Sequence, residues 1–179
     1  MTDLPDLLPP GVLLTRLEAH VDDRGSFTEV FRQAWPTGLE PVQWNVVSSA
    51  PGVLRGVHVH RRHCDFLLIV TGRASIGLRD LRPGAGDGGL VVEMSAAEPQ
   101  ALTIPPGVAH GFMFHEPSIH LYSTSEYFDA TDELGCRWDD PALGIPWPAA
   151  QVQLSPRDRD LPTLAALRAR LEVATTVGG

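Results

Sequence analysis

Residues 52–66 read GVLRGVHVHRRHCDF, a spacing compatible with three kinds of chemistry. His58 and His60 are one residue apart, Asp65 follows five positions later, and Arg55, Arg61 and Arg62 flank them. Imidazoles and a carboxylate so placed could enclose a metal ion, with His58, His60, Asp65 and the distant His110 as a ligand set that keeps open positions. A neutral imidazole, whose ordinary pKa is about 6.5, is also a proton-transfer base at neutral pH. The arginines suit a third role, because a planar guanidinium fork grips phosphate oxygens in pairs.

Side chains of an extended strand alternate between its faces. Leu54, His58 and His60 are therefore expected on one face, with Val53, Arg55, Val57 and Val59 on the other. Two imidazoles on one strand face make poor plain core, since each buried ring needs a polar partner.

The elements that must hold these residues are short. VLRGVHVH, FLLIVTG, RASIGLRDL, ALTIPPG, GFMFH and SIHLYSTSEYF are rich in β-branched, aromatic and alternating apolar residues, with glycines and prolines between them. Many short strands with turn signals predict an all-β sandwich or barrel. RPGAGDGG (82–89) reads as a turn, since no G-x-G-x-x-G opens a helix there. One helix is expected, at PTLAALRARLEVA, with Thr163 as N-cap and Leu164, Leu167 and Leu171 packing its apolar face on the outside of the β core. No repeat or second composition interrupts residues 1–179, so a single domain is expected.

Composition narrows the function. The net charge of −8 argues against a nucleic-acid partner, which demands clustered positive charge. All 14 basic residues are arginine, which removes Schiff-base chemistry and a phosphate-loop lysine together. Cys64 and Cys136 form neither a disulfide framework nor a zinc pattern. No run approaches the ~18 apolar residues of a membrane span, so the cytoplasm is the expected location.

Gly52, His58, His60, Asp65 and Gly72 fit the first cupin motif, with Asp in place of its usual Glu, and PPGVAH (105–110) fits the core of the second. That resemblance implies a double-stranded β-helix, a jelly-roll barrel with the site in its mouth. DDRGSFTEVFR, QWNVVSSAPGVLRGVH, IPPGVAHGF, RWDDPALGIPWP and LSPRDRDLPTL, in that order, extend it. Together they resemble the dTDP-4-dehydrorhamnose 3,5-epimerase family of nucleotide-sugar cupins. The resemblance implies a homodimer without metal or other cofactor, acting on a dTDP-4-keto-6-deoxyhexose.

By position, the resemblance makes His58 the catalytic base, Asp158 the carboxylate that orients it, and His110 a wall of the sugar pocket. Arg24, Phe27, Glu29, Gln43, Asn45 and Arg55 match residues that hold the nucleotide diphosphate. A tyrosine is implied as proton donor on the opposite face of the sugar. One alignment puts Leu121 at that position and another Tyr122; strand parity, which groups Tyr122 with His120 and Thr124, favours Tyr122. Asp65 stands where relatives carry a lysine that steadies the enolate, so Arg61, Arg62, His60 or His110 is expected to supply donors there. Inversion at C3 alone then fits as well as inversion at C3 and C5. Three other readings stay open: a metal-dependent cupin enzyme, a nucleotide-sugar 3,4-ketoisomerase, and a non-catalytic sugar-nucleotide binder.

Overall fold

The computed structural model describes residues 7–176, of which two five-stranded sheets form the body. In the first sheet the order is β1 (Leu13–Arg16), β9 (Gln100–Ile104), β6 (Asp65–Thr71), β11 (Ser118–Thr124) and β4 (Gln43–Ser49). In the second it is β12 (Leu134–Gly135), β5 (Leu54–Val59), β10 (Val108–Phe114), β7 (Arg73–Asp80) and β8 (Leu90–Ser95). A separate hairpin, β2 (Ala19–Asp22) with β3 (Gly25–Thr28), stands apart from both sheets. This is the expected jelly-roll barrel, with 82–89 as the turn between β7 and β8.

The period of two along each strand builds the interior. Leu67 and Ile69, Ile76 and Leu78, Val92 and Met94, and Leu102 and Ile104 all bury into one cluster between the sheets. Each such side chain contributes roughly 1.5–3 kcal/mol when fully removed from water. The intervening residues of β6, Phe66 and Leu68, point the other way and meet Leu121, Phe31 and Trp35 on the outer face of the first sheet.

The chain's last third covers the outside of the second sheet. After β12 come a 3-10 turn (Pro141–Leu143) and two α-helices, a short α1 (Pro156–Arg159) and α2 (Leu164–Thr176). Leu164 and Leu167 of α2 bury against Val57, Val59 and Ala109, with Leu171 packed beside them. Thr163 caps this helix, its Oγ1 accepting from the Ala166 amide at 3.3 Å. Asp140 is structural as well, since its carboxylate accepts from the Ala142 and Leu164 amides.

Strand β5 departs from simple alternation. Its pairing with β10 runs His58 to His110 and then Gly56 to Gly111, so Val57 is an extra residue on the β5 side. Gly56 bends the chain there at φ +125°, and a Cβ on it would lie 2.7 Å from the Gly111 Cα. An inserted residue reverses parity beyond it. Arg55, expected opposite His58, therefore shares the face of His58 and lines the same cavity.

Candidate active site

The cavity, about 280 Å³, opens between the sheets. From β5 come Arg55 and His58, from β6 Asp65 and Leu67, from β10 His110 and Phe112, and from β11 His120, Tyr122 and Thr124. Leu121 lies on the outer face instead, as the parity of β11 requires. His58 and Tyr122 thus enter one cavity from facing sheets.

His58 is oriented from far along the chain. Its Nε2–H donates to Asp158 Oδ1 at 2.7 Å, which leaves Nδ1 as the basic nitrogen. Asp158 sits in α1, where the N-cap Ser155 accepts from its amide through Oγ at 3.0 Å. Burial works to raise the Asp158 carboxyl, but the hydrogen bond and charge of His58, with Ser155 and the Gly56 amide, hold it below the usual value. A carboxylate there fixes the tautomer of His58 and stabilises the imidazolium formed when it takes up a proton.

Asp65 is surrounded by imidazole. His60 Nε2 and His110 Nε2 approach its Oδ2 at 3.7 and 3.5 Å, and His63 Nε2 approaches Oδ1 at 3.7 Å. Burial, then the neighbouring Glu133 carboxylate, hold the Asp65 carboxyl well above its usual range. Burial, then His63 and His58, push His60 down to about 3. Burial and then His60 depress His110 as well. Burial, then Asp65 and Glu133, raise the Tyr122 phenol, which keeps it a proton carrier.

Several expected binding residues lie elsewhere. Arg62 does not line the cavity; it pairs with Asp129 and Glu126 on the loop after β11, because that loop presents acids to it at close range. Arg61 is held likewise, its Nε 3.0 Å from Asp132, so neither arginine serves the centre of the site. Arg24, Phe27 and Glu29 are also outside. Arg24 pairs with Asp22 in the β2–β3 hairpin, Phe27 is 62% exposed, and Glu29 pairs with Arg32. Gln43 lines the cavity and donates to Asn45 Oδ1 at 3.0 Å, while Asn45 lies behind it with Nδ2 buried and unpartnered.

Other wall residues were not singled out from the sequence. His63, Glu126, Phe128, Glu133, Ser155 and Arg157 face the cavity. His120 stacks against Phe112, Phe114 and Tyr122, and burial, then the charge of Arg55, lower its pKa to about 4. Its place on the Tyr122 face was the available signal. Glu133 comes from a segment whose only local signal is a turn, whereas Ser155 and Arg157 share the LSPRD stretch and its short helix with Asp158, and that proximity was their available signal.

Comparison with known proteins bears on this geometry. The family model of dTDP-4-dehydrorhamnose 3,5-epimerase matches residues 7–166. A protein of that name from Neisseria gonorrhoeae is 33% identical over 166 residues, 87% of this chain and 51% of its own, so this chain spans about half its length. Among solved structures, dTDP-6-deoxy-D-glucose-3,5-epimerase from Legionella pneumophila, in complex with dTDP-4-keto-L-rhamnose, superposes with a TM-score of 0.82 at 28% identity. That match covers 90% of this chain and 92% of the other. The 3′-monoepimerase ChmJ from Streptomyces bikiniensis, in complex with dTDP-quinovose, gives 0.81 at 29%, covering 90% and 87%.

Proposed function

This chain belongs to the dTDP-4-dehydrorhamnose 3,5-epimerase family, and from that premise we propose how its cavity inverts a sugar carbon. The substrate is a dTDP-4-keto-6-deoxyhexose. His58 Nδ1 removes a proton from the carbon beside the C4 ketone, and the C–H electron pair moves into the carbonyl to give an enolate. Asp158 stabilises the imidazolium that results. The Tyr122 O–H then delivers a proton to the same carbon from the other side. The observation that carries this reading is the entry of His58 and Tyr122 from facing sheets into one cavity, as a base and an acid on opposite sides of a flat enolate require.

Arg55 serves the nucleotide's phosphates. Its guanidinium is steadied by Ser49 Oγ at 3.0 Å and the Ser48 carbonyl at 3.2 Å.

The working unit in this reading is a homodimer. Strand β4 is an edge of the first sheet, and its outward Val46 and Trp44 are 71% and 40% exposed. The hairpin adds exposed Val21 and Phe27. A second copy covering these apolar residues would let the hairpin carry Arg24 and Phe27 to the neighbouring cavity, which reconciles their expected role with their distance from their own. No helix among the described residues is long and apolar enough to cross a membrane, and both cysteines are free thiols; we place the enzyme in the cytoplasm.

The test is incubation with dTDP-4-keto-6-deoxyglucose in heavy water, followed by proton NMR. Deuterium at C3 and C5 is expected for double epimerisation and at C3 alone for a single one. A His58→Asn variant exchanging at the wild-type rate would overturn the mechanism.

A further inference from the structure

An enolate develops negative charge on its oxygen and needs a hydrogen-bond donor aimed at it. Base and acid act on the two faces of the flat enolate, so its oxygen lies in the plane between them. The donor must therefore come from the wall that joins the two sheets. Asp65 stands on that wall. Across β11 it pairs with Thr124, two residues beyond the Leu67–Tyr122 pair, so it shares the row of the acid. Its Oδ2 also lies 3.5 Å from Nε2 of His110, which pairs with His58 on the other sheet.

The groups expected to supply that donor are engaged elsewhere. Arg61 and Arg62 are held by Asp132 and Asp129. His110 Nδ1–H donates to the Val108 carbonyl at 3.1 Å, so Nε2 carries the lone pair. His60 Nδ1–H donates to the Asp132 carbonyl at 3.3 Å, with Glu133 Oε1 at 3.5 Å beside it, so its Nε2 is a lone pair too. His63 turns its two nitrogens toward Asp132 and Asp65, at 3.9 and 3.7 Å. Thr124 gives its hydroxyl proton to the Glu126 carbonyl at 2.7 Å. Arg157 is paired with Glu133 at 3.1 Å.

Asp65 itself remains, and its neighbours require a proton on it. The His110 and His60 lone pairs face Oδ2 at 3.5 and 3.7 Å. An ionised Asp65 would set acceptor against acceptor at both, whereas a carboxyl O–H can point to either. Both distances exceed that of a full hydrogen bond, so the imidazoles orient the O–H without consuming it. The charge of the cavity agrees. Its wall carries Asp65, Glu126, Glu133 and Asp158 against only Arg55 and Arg157, and a fourth carboxylate there would repel an anionic sugar nucleotide. Burial, then Glu133, favours the neutral form of Asp65 as well. A carboxylic acid kept neutral by its site is an effective donor to a developing oxyanion.

We propose that the Asp65 O–H donates to the C4 oxygen of the keto-sugar and stabilises the enolate, which makes Asp65 a catalytic residue beside His58 and Tyr122. This role rests on the reaction proposed above. The proton on carbon goes to His58 Nδ1, and the C–H electron pair moves into the carbonyl. Asp65 keeps its own proton while the oxygen carries the charge. Tyr122 then protonates the carbon, and the restored ketone no longer needs the strong donor. No further reactant enters.

Two measurements on the full chain test this. Infrared difference spectra of wild type against Asp65→Asn should show a protonated-carboxyl C=O band in the wild type alone, shifted by heavy water. Deuterium exchange into dTDP-4-keto-6-deoxyglucose should fall about 10²–10³-fold in Asp65→Leu, which has no donor. Asp65→Asn should stay within about tenfold of wild type, because its amide N–H still donates. Calorimetric binding of dTDP, retained in both variants, shows that they are folded; if Asp65→Leu fails to bind, Asp65→Ala takes its place. No such band in the wild type, wild-type exchange in Asp65→Leu, or an Asp65→Asn variant as slow as Asp65→Leu would each overturn the role of Asp65 alone. A wild-type protein that shows the band yet exchanges no deuterium would overturn the epimerase reading, and the role of Asp65 with it.

Discussion

His58 Nε2 and Asp158 Oδ1 meet at 2.7 Å across 100 residues of chain. The strand supplies the base, and a four-residue helix packed beside it at the cavity wall supplies the group that orients it. Asp158→Asn should leave the barrel folded but remove the charge that stabilises the imidazolium. Turnover of the keto-sugar is expected to fall by about 10²–10⁴, with KM little changed. Steady-state kinetics check this against His58→Asn, and the double variant should be no worse than the poorer single one, because the two residues act as a unit.

Tyr122 and its neighbour Leu121 separate proton donation from packing. Tyr122→Phe removes the donor but not the base. Deuterium should still wash into the substrate while epimerised product falls about 10²-fold or more. Leu121→Ala should instead cost about 1–2 kcal/mol of stability in urea unfolding and leave the exchange rate unchanged, because its contacts lie on the outer face.

His120 gives the fold a pH dependence. Its folded pKa of about 4 lies below the unfolded value near 6.5, so the unfolded chain binds the proton more readily between the two. Stability is full above about pH 6.5 and declines as pH falls toward 4, by up to about 3 kcal/mol from this residue. His120→Phe keeps the stack with Phe112 and Phe114 and should flatten that part of the profile. Urea unfolding of both proteins at pH 7 and pH 4.5 measures the difference.

Edge strand β4 should govern assembly. Val46→Glu places a charge on the exposed apolar face and is expected to convert a dimer into monomers in light scattering. Activity should fall with it, although the His58–Asp158 pair is untouched. Arg24→Ala should raise KM without dissociating the dimer, and change stability by no more than about 0.5 kcal/mol, since Arg24 pairs with Asp22 on the exposed hairpin.

Gly56 tolerates no side chain. Gly56→Ala would require φ +125° of an alanine and bring its Cβ to 2.7 Å from the Gly111 Cα. A loss of at least about 2 kcal/mol is expected in thermal or urea unfolding, with activity lost as Arg55 and His58 move apart.

How much of this was legible in the sequence differed by residue. His58, His110 and Asp158 sit in short motifs with strong local spacing, and the structure gathers them at one site. Strand parity separated Tyr122 from Leu121, because β11 alternates without interruption through Ser118–Thr124; the register shift at Ile119/His120 leaves its extra residue, Val70, on β6. The same rule failed for Arg55, since the extra residue at Val57 reverses parity within two positions. Arg62 was misplaced because a charge pair carries no information about which acids a later loop will bring to it. Arg24, Phe27 and Glu29 were placed by resemblance, and a single chain offers no geometry that joins them to the cavity.

The join between His58 and Asp158 also has a consequence for synthesis on the ribosome. Both sheets, with β5, β10 and the cavity walls from β6 and β11, are encoded before residue 136, whereas the partner of His58 arrives only at 158. A nascent chain could complete its barrel and still lack a base of fixed orientation. Competence for proton transfer would then arrive late, in one step, when α1 docks against β5. A chain stalled or cleaved between β12 and α1 would be an inert vessel for the sugar, able to sequester it without turning it over.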